Sequence, residues 1–397
     1  MTRVPYETAV VLSGGGARAA YQIGALRAVA HILGRSSTTP FRVICGTSAG
    51  AVNAALVASN ADNFRRGVAR LLRLWRNIEV GHVYQADFAT VSTHGMRWLA
   101  SVLTGRRGPS RTASMFDSAP LRTLLARELA PDDIAAHIAD GRLHALSINA
   151  TSYTTGHAVS FFQGESTISP WERIRRRGER ATIGVDHLLA SSAIPFIFPA
   201  ARVGDDFYAD GSVRQIAPLS PALHLGARRM LVIAVGQFVG QQVAPGHAQA
   251  PPHYPSFAQV AGHALSSVFL DNLGADLERM QRLNAVLNLV PRQVQDAHPE
   301  IAHVDALVIG PTRDLGHLAT QYAHRLPSGV RYLLHGLGTT EGTGASLLSY
   351  LLFDREYCRE LVSLGYSDAM ARRDEVEAFL AGDTAGYLPF LPAELLG

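Results

Sequence analysis

Short β-branched runs alternate with segments of helical periodicity at the start of the chain. Thr8–Leu12 is an apolar run closed by Ser13-Gly14-Gly15-Gly16, the pattern of a buried strand. From Ala19 to Leu33 the apolar positions Ile23, Leu26, Ala30 and Leu33 recur at helical spacing, and Gly34 stands at a C-cap position. Phe41–Cys45 reads as a second strand and Ala49–Ala58 as a helix of small residues. Strand, helix, strand and helix in that order imply an α/β fold with a parallel sheet and a right-handed crossover.

Further along, residues 62–140 read as mostly helical, interrupted by the basic, breaker-rich stretch 104–111. Strands are expected at Leu143–Ala150 and His157–Phe162, and a helix near Val185–Ser192. The apolar run Ile194–Pro199 and a hairpin-like stretch, Arg202–Ala209, lead to Asp210-Gly211-Ser212. A short helix around Pro218–Leu225 precedes the strongly apolar strand Arg229–Val235. Residues 240–255, rich in Pro, Gln, Gly and His, form the best linker candidate. A long helical pattern over Phe257–Leu289, a strand at Ala306–Ile309 and further helices to about Leu380 complete the chain. The expected division is a catalytic domain over 8–235, a linker over 240–255 and a mainly helical extension over 256–397.

Composition narrows the chemistry. The chain has 397 residues, 47% of them hydrophobic and 17% charged, enough to bury a sizeable core. Mean hydropathy is +0.08, yet no apolar run is long enough to read as a membrane span. The segment before Thr8 shows no signal-peptide pattern, and Cys45 and Cys358 make no disulfide framework. A cytoplasmic protein, peripheral to the inner face of the membrane when it meets lipid, is the expectation. All 36 basic residues are arginine. Without lysine there is no Schiff base, no phosphate-binding P-loop and no Ser–Lys dyad. The formal charge of +3 marks no nucleic-acid partner.

Two motifs carry candidate chemistry. Gly46-Thr47-Ser48-Ala49-Gly50 lies between a strand and a helix, the setting of a nucleophile elbow that lifts the Ser48 hydroxyl clear of the backbone. Gly46 and Gly50 keep side chains out of that tight turn. Upstream, Gly14-Gly15-Gly16-Ala17-Arg18 is a glycine-rich turn opening a helix, which aims backbone N–H groups at an anion. A dinucleotide-binding reading of the same turn expects an acidic residue about twenty positions on. No Asp or Glu occurs between Glu7 and Asp62, which disfavours a cofactor. Arg18 is placed to orient the loop, to meet an anionic head group or to form a surface salt bridge. A serine needs a base, for which sixteen histidines and Asp210, at an apolar strand end before Gly211, are candidates.

Taken together, the Gly-Gly-Gly-x-Arg turn, the early elbow, Ser191–Pro199 and Asp210-Gly211 resemble the patatin-like phospholipase family over about residues 8–235. That resemblance implies a three-layer α/β/α fold with a mainly parallel central sheet. It also implies a Ser–Asp dyad in which Ser48 is the nucleophile and Asp210 its general base. The backbone N–H groups of Gly14, Gly15, Gly16 and Ala17 would form the oxyanion hole, supported by Arg18, Gly46, Gly50 and Gly211. Two positions depart from the family pattern: Ala19 replaces a glycine, and Ser212 follows Asp210-Gly211 where glycine or alanine is usual.

The function expected from this resemblance is hydrolysis of fatty-acyl esters of phospholipids or lysophospholipids, without a cofactor or metal. An acyltransferase using the same serine and a non-catalytic lipid-binding module are the alternatives. The expected partners are lipid substrate and a transiently contacted membrane surface, with a homo-oligomer left open. Candidate docking elements are Pro195–Pro199, the residues Met96, Trp98, Leu99 and Leu103, and the cluster Arg173, Arg175, Arg176, Arg177 and Arg180.

Overall fold

The computed structural model describes residues 7–34, 38–85, 114–236, 260, 272–298, 302–336 and 345–383. The candidate linker 240–255 and the candidate docking residues 96–111 lie outside them. Among the described residues, ten strands form one sheet whose path runs β10-β9-β1-β2-β3-β4-β6-β5. β1 (Glu7–Leu12), β2 (Val43–Thr47), β3 (Ala145–Ser152), β9 (Ala227–Ile233) and β10 (Asp305–Ile309) are mutually parallel and make its centre. β4 (Ala158–Gly164) runs antiparallel to β3, and the hairpin β5 (Trp171–Arg173) and β6 (Arg176–Arg180) closes that edge. β7 (Ala201–Val203) and β8 (Asp206–Asp210) form a second hairpin.

Alternate residues of the central strands face opposite layers, as period-two geometry requires. Val10, Leu12, Ile44, Leu146, Ile148, Leu231 and Ile233 join a core with the helices of one face. Ala9, Val11, Val43, Cys45, Met230 and Val232 join a smaller core on the other. The larger layer holds α1 (Ala20–Ile32), α2 (Ala49–Ala58), α3 (Phe64–Arg76), the single turn α4 (Val80–Val83), α5 (Ala119–Glu128) and α6 (Val185–Ser191). The three-layer arrangement follows from helices covering both faces of a sheet with no polar side.

The C-terminal region is helical but not confined to helices. β10 extends the sheet beside β9, pairing Ala306 with Met230 and Val308 with Val232. α7 (Ala345–Leu351) and α8 (Arg355–Ala371) belong to the larger helical layer, where Leu361 and Val362 are buried with Tyr21 and Ala25 of α1. Close approach of the two helices is set by glycine: a Cβ on Gly24 would lie 2.1 Å from Val362 O, and one on Gly365 2.1 Å from Tyr21 O.

One element escaped the sequence pattern. The β5–β6 hairpin lacks alternating apolar residues and was expected only as a basic cluster. Its anchor is Trp171, which stacks on Phe162 and His224 and covers Gly178 of the neighbouring strand.

Candidate active site

The elbow is a sharp change of direction between β2 and α2. Ser48 caps α2 with φ 56° and ψ −130°, a region that L-residues rarely occupy. Such strain persists only where the surroundings over-determine it. Gly46 and Gly50 meet across the turn, so that a Cβ on Gly46 would lie 2.4 Å from Gly50 O. The Ser48 N–H donates to Ser191 Oγ at 2.9 Å, and that hydroxyl donates to Asn149 O at 2.6 Å. The elbow is thereby bonded to α6 and β3 through one serine.

Sheet register brings Asp210 to the same place. β2 pairs with β3 as far as Thr47 opposite Asn149. β8 then pairs with β3 from Asp210 opposite Ala150. β4 holds the other edge of β3 over Ala145–Thr151, so β8 continues along the edge that β2 leaves. Ser48, the residue after Thr47, therefore meets Asp210 end to end.

Asp210 is fully buried. Its Oδ1 accepts the Ser212 N–H at 2.9 Å, while Oδ2 has no partner within ordinary hydrogen-bond geometry. The Ser48 hydroxyl nevertheless lies close enough to favour the ionised carboxylate. Burial pushes the Asp210 pKa up to about 6, against the opposing pull of Ser48 and Ser212. Among the described residues no histidine is bonded to Ser48 or Asp210. Gly211 follows the carboxylate and opens a short helical turn, Gly211–Arg214.

The glycine-rich turn completes the arrangement. Gly15 precedes the helical turn Gly16–Ala19, and Gly16 takes φ 54° with its α-carbon against Tyr350 O, 2.2 Å from where a Cβ would stand. The first N–H groups of a helix have no internal acceptor. Accordingly, the N–H groups of Gly14, Gly15, Gly16 and Ala17 donate to no other group among the described residues, whereas Arg18 N–H returns to Gly15 O at 3.1 Å. Gly16 and Ser48 line one narrow cavity of about 50 Å³, walled by Val52, Trp75, Leu121, Phe198 and Phe353.

Arg18 does not face solvent. It is 5% exposed, donates to Ser349 Oγ at 2.7 Å and Ser346 Oγ at 3.1 Å, and lies 4.3 Å over the Tyr350 ring. The surface salt bridge and the head-group contact expected of it are replaced by a clamp on α7. Its serine partners are 331 and 328 positions away, which is why the sequence pattern gave no sign of them.

A model of the patatin-like phospholipase family matches residues 10–223, more than half of the chain. The chain belongs to the patatin-like phospholipase family. A cGAMP-activated phospholipase of Pseudomonas aeruginosa is 28% identical over 225 residues, covering 56% of this chain and 58% of that protein. The match therefore spans little more than half the length of the relative. Among solved structures, VipD from Legionella pneumophila aligns over 96% of this chain and 67% of its own, with 12% identity and a TM-score of 0.32. Full-length ExoU with SpcU, from the type III secretion system of Pseudomonas aeruginosa, aligns over 99% and 83%, with 17% identity and a TM-score of 0.26. At those scores neither bears on the geometry of this patatin-like chain.

Several residues that hold the site have no site role in the sequence reading, Ser191 entering it only as the start of the Ser191–Pro199 run. Ser191 and Asn149 brace the elbow, and Asn149 also donates to Thr47 Oγ1 at 3.0 Å and accepts from Ser160 Oγ at 2.8 Å. Asn53 links Trp75, from which it accepts at 2.7 Å, to Gln22, to which it donates at 2.9 Å. Gln22 in turn donates to Ser13 O at 2.8 Å, tying the glycine turn to the elbow helix. Their common signal is a polar residue within an apolar run, since buried polar groups must find partners.

Proposed function

We propose that this patatin-like protein is a serine acyl hydrolase cleaving fatty-acyl esters of phospholipids or lysophospholipids through a Ser48–Asp210 dyad. The observation that carries the reading is a strained serine beside a buried carboxylate, one of whose oxygens is unpartnered, at the mouth of an apolar cavity. Asp210 takes the Ser48 proton as Oγ attacks the acyl carbonyl. The carbonyl oxygen gains negative charge and is met by the N–H groups of the Gly14–Ala17 turn. Collapse of the tetrahedral species expels the alcohol, which receives the proton from Asp210. Water then repeats the sequence on the acyl-enzyme, releasing the fatty acid and restoring Ser48.

Lipid must reach the dyad, and the rim of the sheet at that end supports a membrane-facing role. Tyr153, just past β3, donates its N–H to Phe207 O at 2.9 Å, and both rings are exposed. Ile174, 88% exposed, sits between Arg173 and Arg175 in the β5–β6 turn, beside the start of β4. Phe196 is 69% exposed, while Ile194 and Phe198 of the same run line the Ser48 cavity. The basic cluster divides: Arg177 pairs with Glu179, and Arg180 donates to the carbonyls of Gly164 and Glu165. Apolar tips flanked by Arg173, Arg175 and Arg176 suit an anionic interface. Among the described residues no helix is long and apolar enough to cross a membrane.

The deciding experiment is mass spectrometry of products from mixed phospholipid vesicles. Free fatty acid and lysophospholipid are expected with wild type and neither with Ser48→Ala. Equal release by Ser48→Ala would overturn the reading, and acyl transfer to an added alcohol in excess of free acid would convert it to an acyltransferase.

A further inference from the structure

A second and larger cavity, about 420 Å³, lies on the outer side of the Ser48 cavity. It is walled by α3, α5 and the single turn α4, and it shares Leu74 and Leu124 with the apolar cavity. Two leucines are therefore the partition between them. The size falls within the roughly 300–1,000 Å³ of pockets that enclose small ligands.

Its polar lining is cationic. Arg70, Arg73, Arg127 and His82 face one carboxylate, Glu128. Arg70 and Arg73 are one turn apart on α3, so both guanidinium groups lie on the face turned to α5. Glu128 already holds two of them: Arg70 Nε stands 3.3 Å from Oε2 and Arg127 Nε 2.9 Å from Oε1. Arg70 also donates to Glu128 O at 2.8 Å. Arg73 makes no ion pair or side-chain hydrogen bond among the described residues. Basic residues near a helix C-terminus answer the helix dipole, but that needs no concavity and no convergence from two helices.

We infer that the α3–α5 cavity binds a phosphate-bearing anion. Guanidinium forks match the terminal oxygens of a phosphate, and three of them with a single carboxylate leave charge for a dianion. Such a ligand would engage Arg73 and compete with Glu128 for Arg70 and Arg127. Because Arg70 and Glu128 join α3 to α5, displacement of Glu128 changes the spacing of the two helices that carry Leu74 and Leu124. The Ser48 cavity, about 50 Å³, is far smaller than a ligand pocket, so an acyl chain enters only when its wall moves. The effect on turnover rests on the ester-hydrolase reading; binding does not.

The test is calorimetric titration of full-length protein carrying Ser48→Ala, with inorganic pyrophosphate and with monomeric dihexanoyl phosphatidic acid as probes. Saturable binding is expected, weakened about tenfold or more by Arg73→Gln, since a bond to a charged group is lost. Glu128→Gln is expected to tighten binding by removing the competing carboxylate. Arg76→Gln, on the same helix but outside the cavity, is expected to change nothing. Binding of pyrophosphate alone would assign a soluble phosphate ligand, and binding of the lipid a head group. No saturable binding of either probe, or equal affinity in Arg73→Gln and Arg76→Gln, would overturn the site. In protein with Ser48 intact, saturating pyrophosphate should change the rate of short-chain ester hydrolysis at least twofold, an effect absent in Arg73→Gln. An unchanged rate would overturn the coupling. Binding without any hydrolysis would instead count against the hydrolase reading alone.

Discussion

Leu74 and Leu124 stand between two cavities of opposite character. On the Ser48 side the walls are apolar and the volume is small, and among the described residues the unpartnered polar groups there include Asp210 Oδ2, Ser192 Oγ and the N–H groups of the glycine turn. On the outer side the volume is larger and the lining holds more guanidinium groups than its carboxylate can satisfy. Polar groups left without partners at a cavity wall are ones that a ligand can satisfy. In the inner cavity the unpartnered groups include an acceptor and several N–H donors, the set that the proposed hydrolysis calls for. In the outer one they are donors for an anion, which is a description of binding.

The sharpest way to break the inner half of that contrast is Asp210→Asn. The amide cannot take the Ser48 proton, and kcat should fall by about a thousandfold or more in a steady-state ester assay. Stability should move the other way. Burial raises the Asp210 pKa to about 6, so the folded protein keeps this proton at pH values where the unfolded chain has released it. Its contribution is fully present below the ordinary carboxylate range and is lost as pH rises towards about 6. At pH 8 the uncharged Asn should therefore raise stability by about 1–3 kcal/mol, read as a higher Tm that converges on wild type near pH 4. A variant that keeps wild-type kcat would show that the unpartnered carboxylate oxygen is not the base.

Arg18 tests whether the inner cavity depends on a region remote in sequence. Arg18→Ala removes a buried guanidinium bonded to two serines of α7 and stacked on Tyr350, which also lines the Ser48 cavity. A loss of about 2–4 kcal/mol in chemical denaturation is expected. A change below about 0.5 kcal/mol would mean that α7 docks without it.

Leu124→Ala, which thins the partition, should have the smallest effect on chemistry. The ratio of kcat/KM for long over short acyl esters should rise about three- to tenfold, the worth of a few contacts in an apolar pocket. An unaltered ratio would place the acyl chain elsewhere.

The elements to which we assign chemistry were legible because each is local. Ser48 stands between a strand and a helix that both announce themselves by period, and Asp210 ends a run of apolar residues before a glycine. Their meeting was not legible from pattern alone, since it depends on β8 replacing β2 along one edge of β3. The Arg18 clamp was hidden for the same reason, its partners being supplied from the far end of the chain. The β5–β6 hairpin escaped because its arginines follow no alternation, and a stacked tryptophan rather than an apolar face holds it. The outer cavity was invisible because Arg70, Arg73 and Arg127 look, residue by residue, like the solvated face of two helices.

The central claim is that Ser48 is a nucleophile made reactive by the Asp210 carboxylate. Intact-mass measurement of fluorophosphonate labelling across pH 4–9, on wild type, Asp210→Asn and Ser48→Ala, tests both halves together. The account predicts one adduct, mapped to Ser48, whose rate of formation rises with pH through a midpoint near 6, the pKa to which burial raises Asp210. The rise should vanish in Asp210→Asn and the adduct in Ser48→Ala. An adduct on another residue, or a pH profile unchanged by Asp210→Asn, would contradict it.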